Sequence, residues 1–259
     1  MDIEKFITFD LPVPYKSIKI YPVTVRNYGD FMGYSECLTM EKNSIPDPKI
    51  ISMTELEYMC HLLQTGEKPY LFWFDKILSL CLKDEKGFEN IKESMARYRY
   101  DEKGKPFFVI GKDNYTGKDF EEIKRIICIQ NIVELPDENI SKEVRNSLEK
   151  AKEYKRKIAG EVPATLEDYI ISLATLTGWD FDYIYNMTIR KFTKSLRRLD
   201  MYIHYKIFLS SAMSGMVEYK DKSFIKHWLS GLNDDNKYKD VSMDLDTVQD
   251  KISFESAKK

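Results

Sequence analysis

The residues best equipped for chemistry are three histidines, four cysteines and a dense supply of carboxylates. Metal binding and catalysis need such groups at set spacings, because ligands and proton donors must converge on one point. Cys60 and His61 precede Thr65-Gly-Glu-Lys-Pro-Tyr70, a sequence that also joins tandem zinc fingers. A finger requires two closely spaced cysteines ahead of its histidines, and Cys37, Cys60, Cys81 and Cys128 are too far apart to form such a pair. Leu71-Phe-Trp-Phe74 stands where the next finger's cysteines would begin. The simpler reading is a glycine that ends one helix and a proline that starts the next.

Phosphate chemistry finds no better footing. There is no G-x-x-x-x-G-K-[ST] loop and no G-x-G-x-x-G after a strand. Gly111 and Gly117 are six apart, but no Lys-Ser/Thr pair follows to hold phosphate and magnesium. No G-x-S-x-G elbow presents a nucleophile. No catalytic, cofactor-binding or metal-binding residue is assigned, and the expectation is a protein that is not an enzyme and carries no cofactor. His227-Trp228 could present an imidazole and an indole together. The plainer expectation puts Phe224, Trp228 and Leu229 on a buried face, with His227 bonded near a helix end.

One cluster points to nucleic acid. Arg190, Lys191, Lys194, Arg197 and Arg198 follow Thr188 with no acid until Asp200, as a recognition helix on DNA would. The alternative is the solvated face of an amphipathic helix whose stripe of Ile189, Phe192, Leu196, Leu199, Ile203 and Ile207 meets the core. The chain holds 40 basic and 42 acidic residues, a balance that argues against a nucleic-acid partner.

These residues sit in the longest run of helix signals, Pro163 to Leu232. Thr165 with Asp168 predicts a cap for a helix carrying Leu166, Tyr169, Ile170, Leu173 and Leu176. Gly178 predicts its stop, Asp180 a short helix to Met187, and Thr188 a long helix to Ser214-Gly215. Upstream, the first 25 residues read as extended, with Ile18 and Ile20 alternating around Lys19. Asn27 predicts a cap for a helix through Leu38. Ser52 and Glu55 match the S-x-x-E box, flanked by Ile51 and Leu56, for a helix to about Gln64 ending at Gly66. Pro69 opens an apolar helix to Leu82, too short to span a bilayer and interrupted by Asp75 and Lys76. Residues 96–100 and 106–110 flank DEKGK as a hairpin, Gly111 to Gly117 reads as a turn, and residues 119–132 as a helix. Ser141 to Ile158 predicts a charged helix with one narrow apolar line, Val144, Leu148, Ala151, Tyr154 and Ile158. Its seven basic and three acidic residues are unevenly balanced. In the polar tail, Leu245, Val248 and Ile252 are the spaced apolar residues.

The fold class expected is mostly α, a multi-helix globular fold with a small β component near the N-terminus and a hairpin around residues 96–110. The helices of residues 52–82 are expected to share a core with those of 165–214. The divisions read are residues 1–83, an α+β insertion at 84–135, a helical part at 136–232 and a tail at 233–259. MDIEKFITFD has acids where a secretion signal needs basic and apolar residues, so a soluble protein is expected.

The segment LPVPYKSIKIYPVTVRNYGDF and the later TLEDYI, TGWDFDYIYNMTIRKF, RRLDMYIHYKI, SAMSGMVEYK and IKHW resemble tail-morphogenesis proteins of tailed bacteriophages, in the baseplate-hub and tail-assembly-chaperone group. The resemblance covers roughly the first 40 residues and Pro163 to Trp228, and leaves out 84–160. It implies a virion structural protein or chaperone binding other tail proteins, such as tape measure or baseplate hub components, in the host cytoplasm during assembly and in the virion if built in. It implies protein–protein contacts, an oligomer being one form they could take, and no membrane. Candidate partner contacts are Val144, Leu148, Tyr154, Leu245, Val248 and Ile252.

Overall fold

The computed structural model describes residues 3–41, 47–82, 97–135, 142–158, 160, 162–215 and 227–232. The fold is mostly α with two small antiparallel sheets. The chain divides into two units, residues 1–136 with 170–196 and residues 137–169 with 197–259.

In the first unit a short helix, α1 (Ile3–Thr8), precedes the hairpin of β1 (Val13–Tyr15) and β2 (Ile18–Ile20), paired Val13 to Ile20. The helix stands where an extended segment was expected. Ile3, Phe6 and Ile7 fall at three- and four-residue steps, with Ile7 buried and the other two packed on the core. After β2 the stretch Tyr21–Thr24 lies outside any helix before a short 3-10 turn at Val25–Asn27, and distant elements bond to its backbone from three sides. Tyr21 N donates to Cys81 O at 2.8 Å, and Val23 N to Asn131 Oδ1 at 2.8 Å. Val23 O accepts from Ile189 N, and Val25 N donates to Met187 O, both at 2.9 Å. Gln130 Nε2 reaches Ile20 O at 3.1 Å. Pro22 has no N–H, so it sits in this strip without an unmet donor.

Around the strip lie α2 (Tyr28–Tyr34), α3 (Pro48–Ser52), α4 (Glu55–Thr65), α5 (Tyr70–Cys81) and α6 (Gly117–Asn131). The S-x-x-E reading of the α4 start is displaced by two residues. Ser52 closes α3, its hydroxyl donating to Lys49 O, and the box is Thr54 with Glu57. Thr54 Oγ1 accepts from Glu57 N at 3.3 Å while Glu57 Oε2 accepts from Thr54 N at 2.6 Å. Both registers fit the sequence pattern; Met53 and Thr54 are extended, which ends one helix and starts the next. Gly66, at φ 74°, ends α4 as expected. Asn27 lies at the N-cap of α2 but makes no side-chain cap bond.

The α6 start repeats the α4 solution and abuts it. Thr116 and Asp119 form a second capping box, and a Cβ on Gly117 would come within 2.9 Å of Thr54 Oγ1. Lys124 of α6 is buried and holds both carboxylate oxygens of Glu55, at 2.7 and 2.8 Å. The two helices are joined at a backbone approach and at a paired charge, which removal of either partner would leave uncompensated.

The expected hairpin exists as β3 (Arg97–Tyr100) and β4 (Pro106–Ile110), with Asp101 Oδ1 accepting from Lys103 N and Lys105 N across the turn. Ala96 lies outside the described residues. A third strand, β5 (Asp113–Tyr115), replaces the turn expected there and pairs with β4. Phe108 and Tyr115 stack at 5.3 Å, and Phe74 meets Phe120 at 4.5 Å. Residues 97–131, read as an insertion, thus supply Phe108, Ile110, Tyr115, Phe120 and Ile123 to the same core as α2, α4 and α5. From the 165–214 region that cluster includes Ile189, while Ile170, Leu173, Ile184 and Phe192 are buried outside it. All four cysteines are buried thiols.

The second unit contains α7 (Lys142–Ile158) and the cap of α8 (Leu166–Thr177), where Asp168 Oδ2 accepts from Thr165 N and Oγ1. In the residues 170–196 of the first unit, Gly178 stops α8 at φ 73° and α9 (Phe181–Asn186) leads to α10 (Ile189–Met213), whose residues from Arg197 on belong to the second unit. Thr188 Oγ1 caps α10 by accepting from Lys191 N, as its position predicts. The last segment read from sequence, 233–259, lies outside the described residues, Leu245, Val248 and Ile252 included.

Replacing Thr54 by Ala is expected to cost about 1–2 kcal/mol in urea denaturation, and replacing Ser52 by Ala under about 0.5 kcal/mol. A second expectation concerns Asp119. Burial alone would raise its pKa, but the Lys16 ammonium at 2.7 Å, the Thr116 N–H and the Tyr15 hydroxyl hold it down to about 2. A depressed carboxylate stabilises the fold above its ordinary 3.8, and that contribution is lost as pH falls through about 2. Asp119→Asn should therefore flatten the acid limb of stability against pH in that window, and cost about 2 kcal/mol at neutral pH.

Candidate functional site

The basic run of α10 is occupied by its own chain to a degree that its sequence does not show. Arg190 is half-buried and donates to Ile129 O at 3.1 Å. Lys191 pairs with Asp10 Oδ2 at 3.0 Å, and Asp10 Oδ1 accepts from Thr188 Oγ1. Asp10 adopts φ 55°, an uncommon conformation that brings its carboxylate to the start of α10, where the helix dipole favours an anion. Arg198, also half-buried, donates to the carbonyls of Trp228 and of Ser230, the latter at 2.8 Å. Lys194 and Arg197 are exposed.

The apolar stripe of α10 fades along its length. Ile189 and Phe192 are buried, Leu196, Leu199 and Ile203 are half-buried, and Ile207 is exposed. Within the second unit, residues 227–232 cover part of this helix through rings: Tyr202 meets Trp228 at 5.5 Å and Tyr205 meets His227 at 4.9 Å. Trp228 is half-buried, whereas Leu229, expected on a buried face, is exposed. The tight turn there directs Leu229 N to His227 Nδ1 and away from a helical ladder. Phe224 lies outside the described residues.

On α7, Val144, Tyr154 and Ile158 are 52, 68 and 71% exposed, and Leu148 is half-buried. The line of apolar residues expected there is present and faces outward along most of its length.

Sequence reading overlooked a further group. Where α8 turns into α9, Trp179 of the connection and Phe181 and Tyr183 of α9 are 38, 45 and 52% exposed. Trp179 and Tyr183 meet edge to face at 5.4 Å, and Phe181 stacks on Tyr185 at 6.4 Å. Arg26 lies 5.3 Å from the Tyr185 ring centre and 3.3 Å from Asp182 Oδ1. Single exposed aromatics need no account, but a cluster of Trp, Tyr and Arg has the composition of a protein-binding anchor. The signal available was WDFDYIY directly after a helix-stopping glycine, with Ile184 the buried member.

Residues 152–233 match a family model described as the YomV second domain. That family is phage-derived, of the SPBeta prophage type. The matched stretch covers less than half of the chain and contains the aromatic cluster, α10 and residues 227–232. No curated protein and no solved structure matches the chain.

Among the described residues, no three of His, Cys, Asp and Glu gather so as to hold a metal ion, and no helix is long and apolar enough to cross a membrane. Burial pushes the Cys37 thiol up to about 12 and Cys128 to about 11, the reverse of an activated nucleophile. Asp75 is raised to about 6 by burial, against the opposing pull of the Tyr98 hydroxyl at 2.8 Å. A raised carboxylate favours folding below its ordinary 3.8, and that contribution disappears as pH rises through about 6. Asp75→Asn should accordingly be more stable than wild type in thermal melts above pH 6, with the difference vanishing in more acidic buffer.

Proposed function

We propose that the protein is a non-enzymatic component or assembly chaperone of a phage tail or baseplate, acting through protein–protein contacts in the host cytoplasm. The observation that carries the reading is the exposed cluster of Trp179, Phe181 and Tyr183, lying inside the stretch that matches a phage-derived family. Large rigid aromatics bury much area for little lost side-chain entropy, which suits a docking surface. The near-neutral charge, −2 over the chain, and the engagement of Arg190, Lys191 and Arg198 with groups of their own chain support protein recognition over phosphate recognition. Tape measure and baseplate hub proteins are the partners proposed.

The test is affinity capture of the tagged full chain from phage-producing cells, with mass spectrometry of what is retained. Tail proteins should be recovered, and the double variant Trp179→Ala, Tyr183→Ala should lower that recovery at least tenfold with an unchanged circular dichroism spectrum. Recovery of no tail protein would overturn the reading. So would duplex-DNA binding that weakens steeply with salt and is lost in Lys194→Ala, Arg197→Ala.

A further inference from the structure

The aromatic cluster where α8 turns into α9 carries a charge of its own. In Trp179-Asp180-Phe181-Asp182-Tyr183 rings alternate with carboxylates. The segment lies in the longest stretch of the chain without lysine or arginine, between Lys157 and Arg190, which holds five acidic residues. Asp180 and Asp182 are exposed, as are the three rings. Asp180 makes no side-chain cap bond to α9, and among the described residues no cation pairs with its carboxylate. An open carboxylate beside open rings attracts cations and repels phosphate.

The same segment already holds one cation of its own unit. Arg26 sets its guanidinium 5.3 Å from the Tyr185 ring centre and 3.3 Å from Asp182 Oδ1. Asp182 and Tyr185 are three residues apart, neighbours on the surface of α9, so one arginine is shared between a carboxylate and a ring. Asp180 and Tyr183 repeat that spacing, acid followed by tyrosine three residues on, with both members exposed. Trp179 extends this second pair, its ring meeting Tyr183 edge to face at 5.4 Å. Indole is the ring on which cations bind best, and a planar guanidinium can lie on a ring while its N–H groups reach a carboxylate.

We infer that Asp180, Tyr183 and Trp179 receive an arginine side chain from a basic, partly apolar segment of a partner protein. The inference rests on the protein-contact reading above and names the chemistry of that partner. The rings supply buried area, and the two carboxylates supply the choice of a cationic segment. A second copy docked through the same patch is a poor occupant, because a two-fold contact sets Asp180 and Asp182 against their own kind.

The test measures fluorescence anisotropy of short labelled peptides on the full chain, each alternating leucine with arginine, lysine, glutamine or glutamate. The arginine peptide should bind about tenfold more tightly than the glutamine peptide and more tightly than the lysine one, and its affinity should fall as salt is raised. The glutamate peptide should not bind. Trp179→Ala should weaken the arginine peptide with an unchanged circular dichroism spectrum. Asp180→Lys should lose the arginine peptide and gain the glutamate peptide, an exchange that loss of folding cannot produce. Equal binding of all four peptides, no binding of the arginine peptide, or a lysine peptide that binds as tightly would overturn the inference. A dimer in sedimentation that Trp179→Ala dissolves would make a second copy the occupant and overturn it too. If Trp179→Ala, Tyr183→Ala abolishes capture of tail proteins while Asp180→Lys leaves it intact, the assembly reading stands and the arginine partner is refuted. Peptide discrimination as expected, with no tail protein captured, upholds the arginine site and refutes the assembly reading alone.

Discussion

A strip of backbone that leaves the β1–β2 hairpin and enters a helical core is the constraint from which the first unit follows. Tyr21 to Thr24 run through a helical core outside any helix, and such a backbone buries donors and acceptors that helices satisfy internally. Here several, with the Val25 N–H that follows, are met by distant elements: Cys81 at the end of α5, Gln130 and Asn131 at the end of α6, Met187 and Ile189 on either side of Thr188. The strip therefore fixes where three distant parts of the chain must end. Asn131, itself buried, divides its amide between Val23 N and Ile127 O, so its loss would strand a buried N–H at about 1–3 kcal/mol.

The second fixed point is the meeting of α4 and α6 at their N-termini. Two capping boxes lie side by side, and the absence of a side chain at Gly117 is what lets Thr54 approach. Lys124 and Glu55 then hold the helices with a charge pair largely removed from water. Such a pair contributes little net stability against an apolar substitute, but it specifies one alignment of the helices, since any other leaves a buried charge alone. The sheet of β3, β4 and β5 packs its Phe108 and Tyr115 into the same core.

Against this frame the division of labour on the surface is chemical. The cations that a sequence reader would offer to DNA are in good part spent on carbonyls and on Asp10 within the protein. What faces outward is aromatic at Trp179–Tyr183 and aliphatic at Val144 and Ile158 of α7. The aromatic cluster lies within residues 152–233, which match a phage-derived family.

Local chemistry alone determined much of the secondary structure. Thr165 with Asp168, Gly66, Gly178 and Thr188 mark helix ends through bonds made within a few residues, so their pattern is readable in one dimension. The apolar line of α7 and the hairpin around Asp101–Lys105 were legible for the same reason. Tertiary structure decided the rest. Asp113–Tyr115 reads as a turn and becomes a strand because β4 offers its edge and the core takes Tyr115. The α4 cap falls on Thr54, although Ser52 has the same pattern, because Ser52 closes α3 with its hydroxyl turned back to Lys49 O and the chain is extended at Met53 and Thr54. Which arginines face water is also beyond the sequence: Arg190 and Arg198 are claimed by carbonyls 61 and 30 residues away, partners that no periodicity announces.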